Sequence, residues 1–91
     1  MSVQLLIPTP LQKFTDSKSS VELEAASINE LLQAFEQRFP GILDRICDPK
    51  GTLRRFINIY VNGEDIRFLD NQETPLKDGD EVSIVPAVAG G

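Results

Sequence analysis

Ser27-Ile28-Asn29-Glu30-Leu31-Leu32-Gln33-Ala34-Phe35-Glu36-Gln37-Arg38-Phe39 is the longest stretch of this chain with a helical rhythm. Ile28, Leu31, Leu32, Phe35 and Phe39 recur at i, i+3, i+4, i+7 and i+11, one apolar stripe with Asn29, Gln33, Glu36 and Gln37 opposite. Ser27 and Glu30 form a capping box, in which the Ser27 hydroxyl accepts from the Glu30 N–H while the Glu30 side chain reaches back. Pro40-Gly41 stops the helix, because proline lacks the N–H and disfavours helical backbone before it.

The chain on either side of this helix reads as strand. Upstream, Val3, Leu5 and Ile7 alternate with Gln4, Leu6 and Pro8, which predicts a first strand over residues 2–8. Pro8 and Pro10 end it, a polar turn-rich segment follows from Leu11, and Ser20 to Glu24 alternates again, closing a hairpin. Downstream, Gly41 to Cys47 predicts one more helical turn, with Ile42, Leu43 or Ile46 closing the end of the core, and Asp48-Pro49-Lys50-Gly51 predicts a turn. A third strand is expected from Leu53 to Val61, with Leu53, Ile57, Ile59 and Val61 inward and Arg54, Phe56, Asn58 and Tyr60 outward. Asn62-Gly63 is a strong hairpin signal, since a type I′ turn needs positive φ at both central residues. A fourth strand from Glu64 to Leu69, a link with Leu76 as a core plug, the turn Asp78-Gly79-Asp80 and a last strand from Glu81 to Pro86 complete the order. One amphipathic helix can cover four or five strands, so the pattern is α+β: a mixed sheet crossed by one main helix. Residues 1–86 form one domain, and Ala87 to Gly91, without periodicity or bulk, are expected to be a flexible tail.

Composition excludes more chemistry than it suggests. Fourteen acids against nine Lys and Arg give a net charge of −5, a field that repels phosphate backbones and anionic lipid; neither nucleic acid nor membrane is an expected partner. No apolar run approaches a membrane span and the N-terminus lacks the features of a signal peptide, so the expected location is cytoplasmic. With no His, the triads, the Cys–His dyads and the commonest general base are missing. The single Cys47 makes no internal disulfide and cannot supply a four-ligand metal site, so no metal is expected; it reads as a small core residue or a reactive thiol. A chain of 91 residues has little volume for a cleft of its own, which makes self-contained catalysis improbable.

The end of the chain carries the functional argument. A carboxylate at the tip of the slender thread Val88-Ala89-Gly90-Gly91 can enter a narrow channel in another enzyme, be adenylated there and accept a nucleophile at its carbonyl carbon. The protein is then a substrate rather than an enzyme.

The strand order, the run Leu76-x-Asp78-Gly79-Asp80-Glu81-Val82 and the terminal Gly-Gly resemble the ubiquitin-like β-grasp sulfur carriers of the ThiS/MoaD family. The likeness is greatest to the branch serving cysteine biosynthesis, through IPT near the start, Asp48-Pro49, Arg55 to Asn62, Glu64 to Phe68, and the tail Pro86 to Gly91. What the resemblance implies is a cycle in which a MoeB/MoeZ-like adenylyltransferase and sulfurtransferase activates the Gly91 carboxylate with ATP and sulfur replaces AMP to give a thiocarboxylate. A cysteine synthase-type pyridoxal-phosphate enzyme then takes the sulfur, and a metalloprotease releases the new cysteine. ATP and pyridoxal phosphate belong to the partners; no cofactor is expected on this chain. The family leaves two alternatives open: the small subunit of molybdopterin synthase, seated in its large subunit, and a ubiquitin-like modifier joined to lysines. Strict alternation also suggests a docking surface on the outward face of the sheet, with Leu6, Phe56, Tyr60 and Val85 exposed and Arg54 and Arg67 at its rim.

Overall fold

The stripe of residues 28–39 and the inward sides of the strands meet as a single core. The computed structural model describes residues 1–86. Its strands are β1 (Ser2–Leu6), β2 (Ser20–Glu24), β3 (Ile57–Val61), β4 (Glu64–Asp65) and β5 (Glu81–Pro86), with the main helix α1 (Ile28–Arg38) and a short α2 (Leu43–Ile46). The sheet runs β2-β1-β5-β3-β4; β1 and β5 are parallel and every other pair is antiparallel. This is the β-grasp expected from the sequence.

Register explains the core. Val21, Leu5, Val82 and Val61 stand in one row across four strands, and all are buried. Ile28, Leu31, Leu32, Phe35 and Phe39 of the helical stretch close over that face, with Phe35 and Phe39 edge to face at 5.7 Å between ring centroids. Ile42, Ile46, Ile66 and Leu76 seal the ends.

Ser27 Oγ accepts from the Glu30 N–H at 3.2 Å, as the capping box requires, but Glu30 reaches back to the Ala26 N–H at 3.0 Å. Ser27 is engaged in a bridge with Pro75, flanked by bonds from the Ile28 N–H to the Thr74 carbonyl and from the Leu76 N–H to the Ala26 carbonyl. Gly41, at φ +98°, turns the chain after α1, and its N–H and that of Leu43 both donate to the Glu36 carboxylate.

Four segments depart from expectation, and in the last two a non-local or side-chain bond overrides the local pattern. Strand β1 stops at Leu6 rather than Pro8, which has no N–H to offer. The segment Thr9–Phe14 is a 3₁₀ helix, with Pro10 in its first turn, not an open loop, and it buries Leu11. Strand β3 begins at Ile57 rather than Leu53: Leu53 bridges Cys47, the Arg54 N–H bonds the Ile46 carbonyl, and the Ile57 N–H bonds the Arg54 carbonyl in a tight turn. Strand β4 ends after Asp65, whose carboxylate accepts the Arg67 N–H and starts a 3₁₀ turn, Ile66–Phe68, that buries Ile66 and leaves Phe68 80% exposed.

The hairpin and turn signals hold. Asn62 and Gly63 sit at φ +51° and +87°. The Asn62 amide donates to the Asp80 carboxylate and accepts from the Glu81 N–H, the Lys77 N–H donates to Asp80, and the Ser2 N–H donates to Asp78, so one loop ties β1, the hairpin and β5 together. The Asp80 carboxyl is held below its usual range by the Lys77 N–H and the Asn62 amide, Asp65 by Arg67, and Glu36 by the Gly41 and Leu43 N–H groups. A folded-state pKa below the unfolded value means the native protein binds fewer protons, so this stabilisation is complete above the ordinary carboxyl pKa of about 4 and fades as pH falls through the folded values. The melting temperature is therefore expected to drop between about pH 6 and pH 3, and Asp80→Asn to shrink that drop while lowering the melting point at pH 6. Thermal unfolding at the two pH values checks this; a wild-type melting point indifferent to acid would refute it.

Candidate functional site

The six residues expected to form one docking surface fall in different places. On the sheet face away from α1, cross-strand pairing sets Ser20, Leu6, Ser83, Tyr60 and Asp65 in one row, with Val85 beside Asn58 in the next. Leu6, Tyr60 and Val85 do share this face. Val85 is 42% exposed, whereas Leu6 and Tyr60 are only half-buried rather than fully presented, because flanking strands shade them on both sides. Further along β1 and β5 the same face turns acidic, where Gln4 lies between Glu22 and Glu81.

Arg67 sits at the edge of this face and is not a free cation. Its Nη2 meets Asp65 Oδ2 at 2.6 Å and its Nε lies 3.2 Å from both carboxylate oxygens, a forked pair. The Asp65 hydrogen bond in turn raises the Arg67 pKa further above its already high value.

Phe56 and Arg54 belong elsewhere. The turn before β3 carries both out of the strand's alternation and into a groove of about 410 Å³ whose walls also include Pro10, Phe14, Arg45 and Pro86. The Arg45 guanidinium lies 4.6 Å from the centroid of the Phe14 ring, the Lys13 ammonium 5.3 Å from it, and Arg54 Nε donates to the Asp44 carbonyl at 3.1 Å. Phe56 is 47% exposed. Sequence reasoning missed Phe14 and Arg45, since the 3₁₀ turn and α2 are brought together only by the fold; the available signal was an aromatic residue between Lys13 and Thr15 in an otherwise polar segment.

Cys47 is buried, and its thiol is pushed up by that burial and then by Asp48, the opposite of what an activated thiolate needs. It is a core residue. Among the described residues no cluster of three His, Cys, Asp or Glu is placed to hold a metal, and no helix is long and apolar enough to cross a membrane. Val88, Ala89, Gly90 and Gly91, which carry the chemistry expected from the sequence, lie outside the described residues. Their root does not: Pro86 pairs with Ile57 at the end of β5, and β5 is held on both sides by β1 and β3.

Comparison with known proteins agrees with this architecture. The ThiS family pattern matches residues 5–91. Sulfur carrier protein CysO of Mycobacterium tuberculosis is 43% identical over 93 residues, covering 100% of each chain. Small archaeal modifier protein 3 of Haloferax volcanii is 35% identical over 66 residues, 72% of this chain and 71% of that one. Among solved structures, a chain of the Amycolatopsis orientalis BexX/CysO complex superposes with a TM-score of 0.91 at 45% identity, over 98% of this chain and 99% of that one. A family match that spans nearly the whole sequence, a full-length relative and a shared fold agree, and the chain belongs to the ThiS family, with the ubiquitin-like β-grasp fold of its sulfur carriers.

Proposed function

We propose that this protein carries sulfur as a thiocarboxylate on Gly91 and that the sulfur is destined for cysteine. The observation that carries the reading is the full-length match to the sulfur carrier protein CysO, which runs through the terminal Gly90-Gly91. In the proposed cycle a Gly91 carboxylate oxygen attacks the α-phosphorus of ATP, pyrophosphate leaves, and an acyl-adenylate forms. A sulfur nucleophile then attacks the carbonyl carbon and AMP leaves with the bridging oxygen. Hydrosulfide gives the thiocarboxylate directly; a persulfide gives an acyl disulfide that a thiol must reduce.

The chain's own contribution is mechanical. Strand β5 fixes the root of the reactive thread in the middle of the sheet, and glycine at the last two positions offers no side chain to obstruct a channel. Adenylation belongs to a MoeB/MoeZ-like adenylyltransferase and sulfurtransferase, sulfur acceptance to a pyridoxal-phosphate cysteine synthase, and release of the product to a metalloprotease, all in the cytoplasm. The outer-face residues Leu6, Tyr60 and Val85 serve docking to these partners. A second reading, conjugation of Gly91 to lysines, is favoured by the likeness to small archaeal modifier protein 3.

Incubating the purified chain with its adenylyltransferase, ATP and sulfide, then measuring intact mass, tests the reading. The expected product has one oxygen replaced by one sulfur. An unchanged mass with no AMP released overturns it, and lysine adducts in cells without any thiocarboxylate favour the modifier.

A further inference from the structure

The charge of this molecule is unevenly placed. Lys13, Arg45 and Arg54 line the groove beside Pro86 together with Asp44, and Arg55 joins Arg54 and Phe56 in the adjoining hollow with Asp48. That region holds four bases and two acids, a net +2, while the other five bases and twelve acids leave −7 over the rest of the chain. None of the four bases has an ion-pair partner among the described residues. Arg45 is instead stacked on Phe14 and Arg54 hydrogen-bonded to a backbone carbonyl, which orients both without neutralising either. Phe56, Phe14, Pro10 and Pro86 make the floor apolar.

Position gives the groove its meaning. The five residues beyond Pro86 reach no more than about 18 Å when extended, so a channel that receives them must bring its mouth close to Pro86, which is part of the groove's wall. We infer that this groove docks the mouth of the partner's tail-accepting channel, and that the mouth presents carboxylates around an apolar side chain. The inference rests on the sulfur-carrier reading and extends it to the partner's surface chemistry. A second copy of this chain would set like charges against each other, and a nucleic acid would be repelled by the acidic remainder of the molecule. For an acidic mouth, the same asymmetry turns the carrier tail-first during encounter, which raises the association rate.

Association kinetics of the intact chain with its adenylyltransferase, at about 50 and 200 mM salt, test this. Arg45→Glu with Arg54→Glu is expected to lower the low-salt on-rate at least about tenfold and to remove its decline with salt. Lys18→Glu with Lys77→Glu makes the same change in total charge at residues that do not line the groove and is expected to leave the on-rate within about twofold of wild type. Lys13→Glu with Arg55→Glu, which alters neither the Phe14–Arg45 stack nor the Arg54 hydrogen bond, should repeat the groove effect if the first pair melts early. Equal losses from groove and remote pairs, or no loss from either groove pair, overturn the inference; so does a concentration-dependent dimer in sedimentation that the groove pair abolishes. Wild-type thiocarboxylate yield, measured in the same samples, reports separately on sulfur carriage: sulfur acquired at normal yield with an indifferent groove would sink this inference alone.

Discussion

Deletion of Gly91 is expected to lower thiocarboxylate formation more than a hundredfold while the melting temperature stays where it was. Removing one residue draws the reacting carbonyl back by about 3.3–3.6 Å, and a misplacement of about 1 Å can already cost on the order of 10²-fold in rate. The fold has little at stake: among the described residues the buried apolar core runs from Val3 to Ile84, and the last ladder partner is Pro86. Gly90→Val should do nearly as much harm through bulk and a restricted φ. Intact mass after reaction, set beside thermal unfolding of each variant, makes the comparison. Sulfur acquired by the Gly91 deletion would remove the basis for naming Gly91 as the site, and a fall of many degrees in its melting point would show that the tail supports the fold.

The opposite profile is expected at Phe35. Its ring is fully buried, at 0% exposure, between α1 and the sheet and packs edge to face with Phe39. Phe35→Ala removes that burial and leaves a cavity, a change that costs about 3–5 kcal/mol. Against a total stability of about 5–15 kcal/mol for a domain of this kind, that is a large share, and the melting point should fall on the order of 20 °C. Phe56→Ala, at a side chain 47% exposed, should cost about 1 kcal/mol or less. Urea unfolding of the two variants side by side is the check. A loss below about 1 kcal/mol at Phe35 would contradict a core built on the helical stripe.

The features readable in the sequence are those carried by contiguous residues. The stripe from Ile28 to Phe39, the Ser27 cap, the Asn62-Gly63 turn and the alternation of β5 each put their physical cause within a few positions of one another, and each stands in the structure. Leu53 keeps the inward parity of Ile57, Ile59 and Val61, though Arg55 between them breaks the alternation, and the segment bends away because Leu53 finds Cys47 and the Arg54 N–H finds the Ile46 carbonyl, partners no local pattern displays. Asp65 is a subtler case: its carboxylate competes with the ladder for the Arg67 N–H and wins, so the fourth strand is cut to two residues. The docking surface divides along the same line. Parity along a strand places Leu6, Tyr60 and Val85 on one face, but how far each is shaded depends on which strand lies beside it, and the groove of Phe14, Arg45 and Phe56 exists only once three distant segments have met.

The place of β5 in the sheet has a bearing on biogenesis. The strand made last sits between the first and the third, so neither half of the sheet can be completed during synthesis until Glu81–Pro86 has emerged. Contacts of such long sequence separation make folding a late event that follows the whole domain rather than accompanying it. A ribosome that stalls before this segment, or a protease that removes it, leaves an unclosed sheet with unpaired edges on β1 and β3. Any folded copy therefore still has the strand that leads into residues 87–91, and a partner that recognises the folded domain would be spared encounters with molecules truncated before it.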